Sequence, residues 1–219
     1  MEAPTPTAVE IFVDPMCPFA WLTSRWLAEV ERLGRIHLTV RIMSLSILNE
    51  DREDVSDFYR QLVDRAWPPA RIAIAVERDH GSDAVRAWYD ELGRRTHVGD
   101  EAADEEVLAE TLETVGLPAD LLVQGRRPTG TDPDPDLDEV ERLLRASHQR
   151  AIDSVGDEVG TPVVHVTGDD RTIAFFGPVV NPAPRGDEAL RLWDGVELVA
   201  GTPGFFELKR TRTGPLVFS

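Results

Sequence analysis

The chain has 219 residues, enough for one large domain or two small ones around a substantial core, and its 42% apolar and 7% aromatic content is ordinary for a globular protein. Forty acidic against 23 basic residues give a net charge of −17, which leaves no basic face for nucleic acid or for an anionic membrane surface. The opening Met1–Glu10 lacks the basic and apolar parts of a secretory signal, no stretch approaches membrane-span length, and a single cysteine closes no internal disulfide, so a reducing, cytoplasmic setting is expected.

Val9–Val13, β-branched and aromatic apart from Glu10, reads as a buried strand. Asp14-Pro15 punctuates it, and Met16-Cys17-Pro18 opens a helix whose apolar stripe runs through Leu22, Trp26, Val30 and Leu33. Pro18 suits a first helical position, where its missing N–H costs nothing. Cys17 is thereby placed at a helix N-terminus, a setting that lowers a thiol pKa and makes a nucleophilic thiolate; the alternative is a buried, inert cysteine. Gly34 ends the helix, and Ile36 to Met43 alternates as a second strand, expected parallel to the first, with His37 on its solvated face. Ser44–Glu50 should then leave the sheet at the same end as Cys17.

From Asp51 to about Ser154 the pattern is helical. A helix over Asp57–Trp67 should stop at Pro68-Pro69, with another over Ala70–His80 and Gly81 behind it. Ser82 and Asp83 are read as caps of a helix through Val85, Trp88, Tyr89 and Leu92. Asp104–Val115, a short Ala119–Gln124 and a long Asp136–Val155 follow, with Gly125–Pro135 a flexible loop. Strand character returns at Val163–Val166, pairs through a turn at Gly168-Asp169-Asp170 with Thr172–Phe176, and gives way to a helix over 186–193. The tail Phe205–Arg212 is basic and aromatic in an otherwise acidic chain. This β-α-β, helical insert, β-β-α order is an α/β thioredoxin fold split by an all-helical insertion: 1–50 and 156–219 form the thioredoxin-like domain, and 51–155 the insertion.

Two features converge on thiol chemistry. One is Cys17. The other is Gly160-Thr161-Pro162 just before a strand, where proline suits either a cis bond in a tight turn or a trans strand start. If cis, Pro162 lies against the sulfur and the Thr161 backbone is available to an incoming thiol compound. The tetrapeptide Cys17-Pro18-Phe19-Ala20 has alanine where a dithiol motif has its second cysteine. With alanine there, native or introduced, a mixed disulfide has to be resolved by an external thiol. His97 and His148 show no ligand spacing, and no metal site is expected. Arg25 or Arg185 is a candidate to attract a carboxylated thiol or substrate.

Asp14–Trp26, Met43–Glu50, Gly160-Thr161-Pro162, Phe175–Pro178 and Phe205–Arg212 together resemble the actinobacterial mycothiol-dependent nitroreductase family, a cytosolic branch of the DsbA-like thioredoxin-fold proteins. The resemblance spans nearly the whole chain. It implies a reductase that uses mycothiol as co-substrate, without flavin or metal, acting on a small molecule and assembling as a homodimer. It also implies that Asn49 and Tyr59 line the pocket beside Cys17; on the residues alone, Asn49 is equally a helix cap and Tyr59 a partly buried helix aromatic. Phe19 and Trp21 are candidates for a stacking platform, Trp21 equally for the core. Members of that family usually carry C-P-W-C, so this chain departs at Phe19, which keeps an aromatic, and at Ala20, which favours a monothiol scheme. The Gly125–Pro135 loop is also longer than the family norm.

The first reading is therefore a thiol–disulfide oxidoreductase, or a reductase of small electron-poor nitro- or quinone-like compounds, with Cys17 as nucleophile. A second is a thiol-dependent isomerase or transferase of the kappa-class glutathione transferase kind, against which stands the serine that those enzymes generally place at the Cys17 position. A third is a non-catalytic, thiol-binding homologue.

Overall fold

Strands β1 (Thr7–Val13) and β2 (Ile36–Ile42) run parallel, pairing Val9 with Leu38, Ile11 with Val40 and Val13 with Ile42. The computed structural model describes residues 6–52, 57–127, 134–168 and 172–218, without the side chains of 57–62. Strand β3 (Val163–Thr167) lies antiparallel on the other side of β1, and β4 (Thr172–Phe176) antiparallel to β3, giving the order β2-β1-β3-β4. With helix α1 (Pro18–Arg32) joining β1 to β2 and helix α7 (Gly186–Ala200) after β4, this is the thioredoxin arrangement expected. The turn expected at Gly168-Asp169-Asp170 lies partly outside the described residues, as does most of the Gly125–Pro135 loop.

Alternation in the strands separates two cores. Val9, Ile11 and Val13 face the larger one, built on Trp26, Leu27 and Val30 of α1, whereas Phe12 faces the opposite side with Met43, Val163 and Ala151. Trp26 is fully buried, tilted against Trp193 of α7 at 6.2 Å, and its indole N–H donates to Ala189 O at 3.0 Å. That seam fixes α1, and with it the position of Cys17. Glycine ends α1: Gly34 has φ +79°, the left-handed region that a side chain disfavours.

Between β2 and β3 come α2 (Leu45–Asn49), α3 (Asp57–His80), α4 (Ser82–Gly93), a π-helical turn (Arg94–Val98), α5 (Glu105–Thr114), a 3₁₀ segment (Ala119–Gly125) and α6 (Pro135–Ile152). Three expectations are corrected here. Pro68-Pro69 does not divide α3, which runs unbroken through both. The two prolines deprive the carbonyls of Asp64 and Arg65 of helix donors, but those residues are exposed and water can serve them, while Trp67, Pro69 and Ala70 beside them are buried and hold the axis. Ser82 does not cap α4; Gly81 occupies that position at φ +85°, joining α3 directly to α4. Finally, α7 extends to Ala200, because Val196 continues the apolar stripe of Ala189 and Trp193.

Candidate active site

The site is assembled where β1 hands over to α1. The Cys17 amide donates to Asp14 O at 3.0 Å, closing a turn, and Cys17 takes the extended N-cap conformation (φ −85°, ψ 112°) with Pro18 in the first helical position. Its carbonyl accepts the Trp21 amide at 3.0 Å, and the backbone N–H groups of Phe19 and Ala20 face its sulfur. The Thr161–Pro162 peptide is cis, and the Cys17 thiol donates to Thr161 O at 3.6 Å. Thr161 is itself locked to the end of β1: its hydroxyl donates to Phe12 O and accepts from the Asp14 amide, both at 3.2 Å. The only cysteine and the proline turn, 145 positions apart in the chain, thus meet, and of the two conformations open to Pro162 the cis one is present.

The electrostatics depart from expectation. Cys17 is only 7% exposed, and burial pushes its thiol up to about 11, against the pull of the Ala20 and Phe19 amides. The neighbouring Asp14 carboxylate raises it further, while Arg212 lowers it. The sulfur sits at a helix N-terminus as read, but loss of hydration outweighs the helix end, so the resting form is a protected thiol rather than a thiolate. Asp14 is fully buried, and burial raises it to about 6 despite N–H donors from Leu45 (2.7 Å) and Met16 (2.8 Å).

The other candidates divide. Phe19 is half-buried at the first turn of α1, with the Arg212 guanidinium 4.7 Å above its ring. Trp21 is 4% exposed and packs edge-on to Tyr89, so it belongs to the core; its ring presses so closely on Gly93 that a Cβ there would come within 2.2 Å. Asn49 ends α2 and donates to Leu45 O at 2.7 Å, and no described contact joins it to Cys17. The Tyr59 side chain lies outside the described residues. Ala20 is fully buried. Arg25, a candidate for attracting an anionic ligand, is instead paired with Asp90 and stacked 4.1 Å above Trp21. Arg185, the other candidate, lies 4.0 Å from Glu29.

Three residues near the sulfur carried little sequence signal. Asp14 reads as punctuation, although a carboxylate at the end of a buried strand is unusual. His97, in the π-helical turn, approaches Pro15 O at 3.1 Å and is pushed below its usual pKa by burial. Arg212 lies in the basic tail whose oddity the composition shows but whose docking place it does not. His148, by contrast, is structural: its Nδ1 accepts the Ser44 amide at 3.3 Å and burial lowers it to about 4. Among the described residues no group of three or more His, Cys, Asp or Glu is placed to hold a metal, and no helix is long and apolar enough to cross a membrane. A cavity of about 910 Å³ opens between α3, α5 and the 3₁₀ segment, lined by Trp67, Ile72 and Leu108, and includes none of the residues around Cys17.

Residues 16–210 match the family model described as Rv2466c-like, mycothiol-dependent nitroreductase Rv2466c. The chain belongs to this family. Among curated proteins, the uncharacterized protein Rv2286c of Mycobacterium tuberculosis is 31% identical over 208 residues, spanning 94% of this chain and 83% of its own. Among solved structures, the cytosolic disulfide reductase DsbM from Pseudomonas aeruginosa superposes with a TM-score of 0.55 at 16% identity, over 87% of this chain and 99% of its own. A probable DsbA oxidoreductase from Streptomyces coelicolor gives 0.52 at 16% identity, over 96% and 94%. The fold is therefore DsbA-like, and membership of the nitroreductase family supports enzymatic, thiol-dependent activity, with a low-molecular-weight thiol as partner. Within the family frame, Cys17 is the one thiol that this chain brings to the start of α1.

Proposed function

We propose that the protein is a cytoplasmic, homodimeric monothiol oxidoreductase that uses mycothiol, without flavin or metal, to reduce small electron-poor compounds or disulfides. The observation that carries this reading is the contact of the Cys17 thiol with Thr161 O beside cis Pro162, with the fully buried methyl of Ala20 where a resolving thiol would sit. Pro18 and Phe19 form the rim of the site, and Thr161 and Pro162 present backbone to the incoming thiol compound; the family resemblance assigns Asn49 and Tyr59 to substrate binding as well.

The chemistry closes without a second protein thiol. With a quinone-like acceptor, Cys17 and one mycothiol each give up one electron and one proton. The acceptor leaves as the two-electron, two-proton reduced product, and a Cys17–mycothiol mixed disulfide remains. A second mycothiol thiolate attacks the mycothiol sulfur, breaks the S–S bond and releases mycothiol disulfide with Cys17 as thiolate, which regains a proton. With a disulfide substrate, the Cys17 thiolate attacks one sulfur and expels the other as thiolate; a mycothiol thiolate then attacks the Cys17 sulfur of that mixed disulfide and expels the second substrate thiolate, leaving the Cys17–mycothiol disulfide that the next mycothiol resolves as above.

The test is turnover of menadione, a nitroaromatic and a small disulfide with mycothiol, with glutathione in parallel, for the native protein and Cys17→Ser. Mycothiol-dependent turnover that disappears in Cys17→Ser is expected. Equal turnover in both would move the protein to a reaction in which the bound thiol alone is the reagent, as in the kappa-class transferases. Absence of turnover in both, with mycothiol still bound, would make it a binding protein, a reading that the burial of Cys17 favours.

A further inference from the structure

The C-terminal tail after α7 is anchored on the site at three places. The Arg212 guanidinium lies 4.7 Å above the Phe19 ring, two residues beyond Cys17. The Asn181 side chain clamps the tail from both sides of its amide, donating to Pro215 O at 2.9 Å and accepting from the Val217 amide at 2.8 Å. Phe218 stacks on His97 at 5.9 Å, and His97 in turn reaches Pro15 O, in the turn that holds Cys17. The segment carrying Asn181 is tied to α1 as well, since the Thr23 hydroxyl lies 2.7 Å from Pro178 O. The tail is thus bound on both sides of the α1 N-terminus, and Arg212 is the residue that it sets over the first turn. The match to the family model ends at residue 210, short of Arg212.

We propose that the tail is part of the active site and that Arg212 is a positioning residue whose guanidinium stabilises negative charge on the Cys17 sulfur when its proton is lost to solvent. The Ala20 and Phe19 amides favour that charge more strongly than Arg212 does, but the other side chains around the sulfur do not. From the turn before α1, Asp14 faces it with a carboxylate; from α4 the buried Tyr89 hydroxyl is neutral, held above its usual pKa by burial. From the π-helical turn, His97 is kept neutral by burial. On α1 the charge of Arg25 is taken up by Asp90. Arg212 is the cation whose field lowers the thiol pKa.

This rests on the thiol chemistry proposed above, and the experiment separates the two. Native protein, Arg212→Gln, Arg212→Lys and Arg212→Glu are alkylated at pH 6 to 11 with neutral iodoacetamide and anionic iodoacetate, and Cys17 labelling is followed by intact mass, with melting curves to confirm folding. Thiolate displaces iodide in both reactions, so the rate reads the thiolate population. Relative to native protein, Arg212→Gln should label about three- to tenfold more slowly at each pH below its midpoint, with the midpoint moved upward. It should also lose more rate with iodoacetate than with iodoacetamide, Arg212→Lys should restore part of both effects, and Arg212→Glu should exceed Arg212→Gln. Unchanged labelling, or faster labelling from removal of a mere cover, overturns the proposal. Failure of the oxidoreductase reading shows differently, as native Cys17 that forms no mixed disulfide on exposure to mycothiol disulfide, while the Arg212 effect is still read with the two alkylating agents.

Discussion

The Asp14 carboxylate accepts the Leu45 amide at 2.7 Å, bridging the end of β1 to the first turn of α2 at the sheet end where Cys17 emerges. The carboxylate is fully buried and its pKa is raised by burial to about 6, above the value of 3.8 for a free side chain. Between those two values the folded state binds more protons than the unfolded one. Asp14 therefore adds stability below about pH 4 that is lost as pH rises through 6, in all about 3 kcal/mol. Urea unfolding of native protein and Asp14→Asn between pH 4 and pH 7 should show the native protein losing roughly that much relative to the variant. A constant difference across the range would mean that Asp14 titrates alike in both states.

Removing the same charge acts on the thiol. Asp14 opposes a thiolate at Cys17, so Asp14→Asn should bring the alkylation midpoint of Cys17 down and speed labelling at fixed pH several-fold. Labelling of the two proteins by neutral iodoacetamide across pH 6 to 11 checks the direction.

Gly93 ends α4 against the face of Trp21, and the nearest ring atoms would be 2.2 Å from an added Cβ. An indole in a filled core cannot move aside cheaply, so Gly93→Ala should cost about 1–3 kcal/mol. Trp21 also borders His97 at 5.8 Å, so the change should appear in near-ultraviolet circular dichroism as well as in unfolding.

Much of the sheet was legible because its residues obey one rule at a time. Ile36, Leu38, Val40 and Ile42 alternate with polar neighbours and fall on one buried face, and Cys17-Pro18 marks a helix start by backbone chemistry alone. The failures came where neighbours decide. Pro68-Pro69 breaks a helix by local rules, yet buried Trp67 and Ala70 carry α3 through. The thiol setting of Cys17 was read from its helix end, whereas its pKa is decided by burial under distant Thr161. His97 and Arg212 reach the site through folding over 80 and 195 positions of chain, which no spacing reports.

Ala20→Cys places a second thiol three residues after Cys17. Residues three apart at the start of a helix have Cα atoms roughly 5 Å apart, within disulfide range, and Ala20 is fully buried beside the site. The variant should respond to a small disulfide by losing two hydrogens as an internal disulfide, where the native chain keeps an adduct. A stable adduct on the variant would show that position 20 does not face the Cys17 sulfur.

The central claim, that Cys17 works alone as an exchangeable thiol, is tested most directly by intact mass after exposure to mycothiol disulfide, with glutathione disulfide in parallel. The account predicts one mycothiol adduct, confined to Cys17, formed faster than the glutathione adduct and removed by excess mycothiol. Native, folded protein that takes up neither adduct at any pH from 5 to 9, while Cys17 of the urea-unfolded chain takes up both, would contradict it.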